Sequence, residues 1–204
     1  MTAHRGDKEL DIRTPYTLTD RLLGVVLFRA QTYRDIAQDA RSTRAASLAV
    51  AAVALIIGVV GGLIAGYDAW TLLVSLAVTL VIDLLMWGVM SWALAVVCRR
   101  VFRVAGATPH MMRIAGFTNL FRVLEAVPWL SLIGDLLWIA ATVVAVRAVT
   151  QLSKVKAAVV VVTVAGVALV ARAVAGRLAY FALAALLPVF GDLIGRLVEL
   201  LQFR

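Results

Sequence analysis

Residues 111–153 decide the fold: MMRIAGFTNLFRVLEAVPWLSLIGDLLWIAATVVAVRAVTQLS. This stretch predicts two membrane helices, 111–127 and 129–147, joined by a short turn at Pro128, since proline is tolerated in the first turn of a helix. The second helix is almost wholly apolar. The first carries polar residues that recur every three or four positions and so share one face. They are Thr118, Asn119, Arg122 and Glu125.

Composition places the whole chain in a membrane. Of its 204 residues, 63% are hydrophobic, whereas soluble domains have about 45–50% apolar residues. The single Cys98 cannot form an internal disulfide, and His4 and His110 lack companion ligands, so we expect no metal and no cofactor. The net charge of +8 is explained by positive cytoplasmic flanks, and we expect no nucleic-acid partner.

The pattern predicts an all-α polytopic membrane helix bundle in three parts. Residues 1–44 form a cytoplasmic tail, flexible over 1–11, followed by an amphipathic interfacial segment. Residues 45–175 form the transmembrane bundle, and residues 176–204 form an amphipathic interfacial helix or a sixth span, interrupted by Pro188 and Gly191. The five predicted spans are 45–66, 71–97, 111–127, 129–147 and 157–173.

Lysine and arginine residues alternate between the connections and predict the orientation. Eight precede the first span, four lie in the region Arg99–Arg113 and three lie in Arg147–Lys156, whereas the first connection and the Pro128 turn have none. Positive residues concentrate on the cytoplasmic side. We therefore expect a multi-pass protein of the cell (inner) membrane with a cytoplasmic N-terminus, and we expect 111–127 to cross the membrane.

Small residues recur in the first span at a spacing of four, at Gly58, Gly62 and Gly66. Such spacing lets two helix backbones approach closely in lipid. The pattern favours packing within the monomer and leaves a homo-oligomer as the alternative.

A buried polar cluster is the second prediction. Asp83 falls near the middle of the second span, and a charge there is expensive unless it faces protein or water. We expect Asp83 to meet the polar residues of the 111–147 hairpin in one cluster. Its members are Asp83, Asn119, Arg122, Glu125 and Asp135, with a formal charge of −2. The cluster has two interpretations, a structural clamp between helices and an ion or headgroup site.

Arginines ahead of the first span form the third predicted feature. They are Arg21, Arg29, Arg34, Arg41 and Arg44, and they alternate with Asp35 and Asp39. This collar, defined as the segment Arg21 to Arg44, is expected to be solvated at the membrane surface and to meet anionic lipid headgroups or a cytoplasmic protein partner.

Sequence motifs of enzymes are absent: we find no His-Glu-x-x-His, no Gly-x-Ser-x-Gly and no phosphate loop. We therefore expect no catalytic residues.

Two stretches resemble bacterial members of the Ypt-interacting protein (Yip) domain family of multi-spanning membrane proteins. They are RLLGVVLFRAQTYRDIAQDARST in the collar and the central hairpin followed by VVAVRAVTQLSKVKAAVVVV. The resemblance covers about residues 20–172. It implies a five-span fold with a cytoplasmic N-terminus, and eukaryotic relatives are associated with small GTPases and membrane shaping. We accordingly expect a membrane scaffold or adaptor, with a small transporter or channel subunit as the alternative.

Overall fold

The protein is a bundle of helices. The computed structural model describes residues 17–104 and 107–202, with side chains described to residue 178 and at Phe181. No β-strand occurs in these ranges. The elements are α1 Leu18–Val26, α2 Ala30–Gln38, α3 Ser42–Ile64, α4 Ala69–Arg100, α5 Thr108–Thr118, the 3₁₀ segments η1 Asn119–Ala126 and η2 Pro128–Leu130, α6 Ser131–Thr150 and α7 Lys154–Gln202. The predicted flexible tail, 1–11, lies outside the described residues.

Four of these segments are long and apolar enough to cross a membrane. They are Ser42–Ile64, Ala69–Arg100, Pro128–Thr150 and Lys154–Leu178. They correspond to the predicted spans 45–66, 71–97, 129–147 and 157–173, and they confirm the polytopic helix bundle. The predicted number of five spans stays a prediction, because the segment 111–127 is not among them.

That segment forms the centre of the bundle. Trp87 of α4 donates its indole N–H to the Met112 carbonyl at 2.9 Å, and Thr142 of α6 donates its hydroxyl to that of Thr118 at 3.1 Å. Further along, Gly134 of α6 lies against Leu124. These contacts show that α5 and η1 run antiparallel to both α4 and α6, through the interior and not along a surface.

Close backbone approach holds α5 against α3. A Cβ added to Gly116 would lie 2.5 Å from the Ala46 Cβ and 3.0 Å from its backbone oxygen. Since a backbone cannot rotate away as a long side chain can, only glycine fits at this crossing. The fully buried Phe117 and Ile114 extend the same contact region into the core.

The predicted glycine motif divides into two roles. Added Cβ atoms at Gly58 and Gly62 would meet Leu76 and Leu72 of α4, at 2.7 and 2.4 Å respectively. These two glycines therefore pack within the monomer. Gly66 does not: it lies beyond the end of α3 with φ of +70° and nothing within 4 Å of an added Cβ. Its role is to end the helix in a left-handed turn, which glycine adopts without strain.

The last helix differs from its prediction. We expected a span ending near 173, then a separate segment interrupted by Pro188 and Gly191, but α7 is continuous from Lys154 to Gln202. A proline removes one main-chain hydrogen bond and strains a helix interior, and the helix-forming alanines and leucines around it outweigh that cost here. The amphipathic face predicted within 176–204 lies outside the side chains that the structure describes.

The collar is packed against the bundle through one apolar face, while most of its arginines stay exposed. Tyr33 and Ile36 of α2 are fully buried, because α2 lies across α5 and α6. The Tyr33 hydroxyl donates to the Val25 carbonyl at 3.1 Å, which ties α2 to α1. The first span also begins inside the predicted collar, at Ser42, so Arg44 belongs to α3.

Candidate functional site: a buried ion-pair cluster

Asp83 is the deepest charge in the described bundle. It lies about 21 Å from the first residue of α4 at 1.5 Å per residue, and its side chain is 1% exposed. Its Oδ1 lies 3.4 Å from Nη2 of Arg172 and 3.7 Å from Nη2 of Arg122. Asp83 therefore pairs with two guanidinium groups from two other elements.

Arg122 is the hub of the predicted set. It donates from Nη1 to Oδ1 of Asn119 at 3.0 Å, and from Nε and Nη2 to the two carboxylate oxygens of Glu125 at 2.5 and 3.1 Å. Its guanidinium carbon also lies 6.0 Å from the ring centroid of Trp138, at the outer range of a cation–π contact. A bidentate arginine–carboxylate pair is the strong form of such a bond.

The 3₁₀ conformation of η1 places Arg122 in line with both Asn119 and Glu125. Residues three apart eclipse one another in a 3₁₀ helix, whereas they are offset by about 60° in an α-helix. Asn119, Arg122 and Glu125 therefore stand in one row, and Arg122 reaches a partner on each side. The sequence showed the spacing but predicted a single helix over 111–127.

Arg172 is the member that sequence reasoning missed. It donates from Nη1 to Oε2 of Glu125 at 2.9 Å, and its side chain is 24% exposed. In the sequence it directly follows the fifth apolar run, where it has the position of an ordinary flanking residue. Ala157, Val161 and Ala165 are fully buried, and the same face of α7, continued by three- and four-residue steps through Ala168, reaches Arg172. The sequence carried no signal for this face, because the run is apolar on all sides.

Asp135 lies at the edge of the network, close enough to Arg122 and Glu125 to interact electrostatically with both. Within the described residues it forms no ion pair, and its Oδ1 is buried without a hydrogen-bond partner. The structure therefore brings together Asp83, Asn119, Arg122 and Glu125 as predicted, and adds Arg172. With Arg172 counted, the cluster and Asp135 carry a formal charge of −1 instead of −2.

A small cavity borders the cluster. Its volume is about 40 Å³, and its lining includes Asp83, Asn119 and Arg172 together with Trp87 and Trp138. Neither carboxylate oxygen of Asp83 accepts a hydrogen bond, since both arginine contacts are long. A space of this size holds a few water molecules, which would satisfy those oxygens. In the described residues no three His, Cys, Asp or Glu side chains converge as metal ligands would.

The predicted collar arginines lie at one end of the bundle, and most face outward. Arg29, Arg34, Arg41 and Arg44 are exposed. Arg21 instead lies 2.7 Å from Asp39 and donates to the Ser42 hydroxyl at 2.6 Å. Partial burial opposes ionisation of Asp39, but hydrogen bonds from Arg21, the Arg41 N–H and Ser42 outweigh it and lower the pKa of the carboxyl.

An all-helical bundle with four apolar crossing helices and a buried charge cluster defines a multi-pass integral membrane protein. A family model for the Yip1 domain matches residues 23–175, well over half of the chain, so the chain belongs to the Yip1 domain family. The matched range includes most of the collar and every member of the cluster. No curated protein and no solved structure gives a significant match to the chain.

Proposed function

We propose that the protein is a non-enzymatic scaffold or adaptor that organises the cell (inner) membrane through its collar, with the N-terminus on the cytoplasmic side. Five passes, with α5 and η1 as the third, and the lysine and arginine counts support this orientation. Anionic headgroups, a cytoplasmic protein and a second copy of the chain are the proposed contacts of the exposed arginines.

The exposed apolar face of α1 is the observation that carries this proposal. Leu23, Val26 and Leu27 are each 52–57% exposed, while Gly24 and Val25 on the other face are buried. A helix of this kind beside a membrane bundle lies in the interface and pushes its apolar face between headgroups. Inserting side chains into one leaflet only is a physical means of shaping a membrane.

Site-specific fluorescence tests the insertion. In a Cys98→Ala background, an environment-sensitive dye is attached at Leu23→Cys. The matched control carries the dye at Gln31→Cys, an exposed position of α2. In vesicles containing phosphatidylglycerol we expect blue-shifted emission at position 23 and water-like emission at 31. Equal emission at the two positions would contradict the interfacial placement.

Vesicle shape tests the role itself. We expect the reconstituted protein to reduce vesicle diameter in cryo-electron micrographs, and a Leu23→Asp/Leu27→Asp variant to leave it unchanged. These two side chains are exposed, so the variant should keep its fold. If wild type and variant give the same diameters, the membrane-organising role is wrong.

The second candidate function is a small transporter or channel subunit. The unsatisfied Asp83 carboxylate beside a cavity favours it, and the two arginines beside that carboxylate favour the structural interpretation. Loss of a cellular phenotype in Asp83→Asn with normal expression and an unchanged melting temperature would support transport. Loss that accompanies unfolding would support the clamp.

A further inference from the structure

Two adjoining clefts open at the collar end of the bundle, between α2 and the C-terminal end of α6. Their volumes are about 290 and 490 Å³, and both are lined by Arg34, Ala148 and Gln151. They are separate from the ion-pair cluster, with which they share no lining residue.

The charge of these clefts is positive. Arg34 and Arg147 contribute to the lining, and among the described residues no aspartate or glutamate does. Asp35, next to Arg34 in sequence, accepts a hydrogen bond from Gln31 on α2 itself. The clefts therefore favour an anion.

Arg34 is held in position to bind one. Its Nε donates to the Ala148 carbonyl at 3.2 Å, which fixes the guanidinium at the cleft. The two terminal nitrogens form no ion pair or hydrogen bond in the described part of the chain, and neither does the exposed side chain of Arg147. Arginine presents such nitrogens as a planar fork that matches a phosphate group.

The surroundings of the clefts are apolar. Val144 and Leu152 line the larger cleft, and the neighbouring Val155 and Val159 of α7 are 73% and 54% exposed, as lipid-facing residues are. A ligand that satisfies both features has a phosphate head and hydrocarbon tails.

We propose that Arg34 and Arg147 bind the phosphate of one anionic phospholipid in the cleft between α2 and α6. This inference rests on the proposed function only in placing the collar at the membrane surface. The lipid contacts α2 and α6 together, so it joins the collar to the bundle. The dye at position 23 reports α1 insertion independently, so the failure of either proposal is distinguishable from that of the other.

Native mass spectrometry of the full chain in mild detergent tests the site, with phosphatidylglycerol and phosphatidylcholine as probes. We expect one phosphatidylglycerol to be retained at least tenfold more tightly than phosphatidylcholine. An Arg34→Gln/Arg147→Gln variant should bind phosphatidylglycerol at least about tenfold more weakly, since each lost contact is charge-assisted. Arg100→Gln/Arg103→Gln removes the same charge from exposed positions outside both the clefts and the collar, and should change binding less than twofold.

Three outcomes would overturn the proposal. They are equal retention of the two lipids, equal loss of binding in the two double variants, and stabilisation by inorganic phosphate as large as that by phosphatidylglycerol. If the first double variant does not fold, Arg147→Gln alone is measured, because Arg147 has no partner to lose among the side chains that the structure describes. It should weaken phosphatidylglycerol binding severalfold, and an unchanged affinity would count against the site.

Discussion

The ion-pair cluster and the collar use the same residue types in opposite ways. Around Asp83, two arginines and two carboxylates are largely buried, and each guanidinium bridges both carboxylates. In the collar, four of five arginines are exposed, and among the described side chains only Arg21 pairs with an acid. The buried charges stay paired with one another, because breaking a pair would leave an unpaired charge inside the membrane. The collar charges are free to bind other molecules.

Removing the hub of the cluster should have the largest effect. Arg122→Gln deprives both Glu125 and Asp83 of a partner inside the bundle, and breaking a buried pair in this way costs about 3–5 kcal/mol. Unfolding in mixed detergent and dodecyl sulfate measures the change. Arg100→Gln, an exposed substitution at the end of α4, is the matched control. If both variants unfold at the same dodecyl sulfate fraction, the cluster does not hold the bundle together.

A double-mutant cycle should show a smaller effect and test the residue that the sequence did not reveal. Asp83→Asn and Arg172→Gln each remove one side of a 3.4 Å pair. The double variant should be more stable than the sum of the single changes predicts, by about 1–2 kcal/mol, the usual coupling between contacting charges. The pair Asp83→Asn and Arg147→Gln should be additive, and equal coupling in both cycles would contradict a specific contact.

Removing the Arg21–Asp39 pair of the collar should have the smallest effect on stability, and this effect should depend on pH. Because the pKa of Asp39 is lower in the folded state, its contribution is complete above the ordinary aspartate range and is lost as pH falls through the lowered pKa. Exposed pairs contribute at most about 1 kcal/mol. The melting temperature of wild type should exceed that of Asp39→Asn slightly at pH 6, and the gap should narrow as the pH falls below the ordinary aspartate range. A gap that does not narrow on acidification would contradict this account.

Hydrophobic runs, and the polar or helix-breaking residues that separate them, predicted most of the fold. The lengths of the apolar runs predicted where four helices begin and end to within about five residues, except for the C-terminal end of α7. They could do so because bilayer thickness constrains the length of a span. Composition did not reveal that Tyr33 and Ile36 would be buried, because a short amphipathic segment looks the same on water, lipid or protein. It also did not reveal the full extent of α7.

The cluster was predicted where residues were close in sequence or unusual in position. Asn119, Arg122 and Glu125 show their common face directly, and Asp83 is conspicuous in an apolar span. Arg172 resembled a flank residue because it ends an apolar run, and its partner lies on another helix. Asp135 lies beside Arg122 and Glu125 but forms no ion pair in the described residues, since depth alone does not fix the direction of a side chain.

The direction of η1 has a consequence for the two ends of the chain. Since α5 and η1 run from the collar end to the opposite end, the chain changes direction at each of the four connections between α3 and α7. The chain therefore runs the length of the bundle an odd number of times between the first residue of α3 and the C-terminal half of α7, and these two points lie at opposite ends of the bundle. The apolar segment Lys154–Leu178 of α7 therefore begins at the collar end and leaves the bundle at the opposite end, so the two ends of this helix face different surroundings.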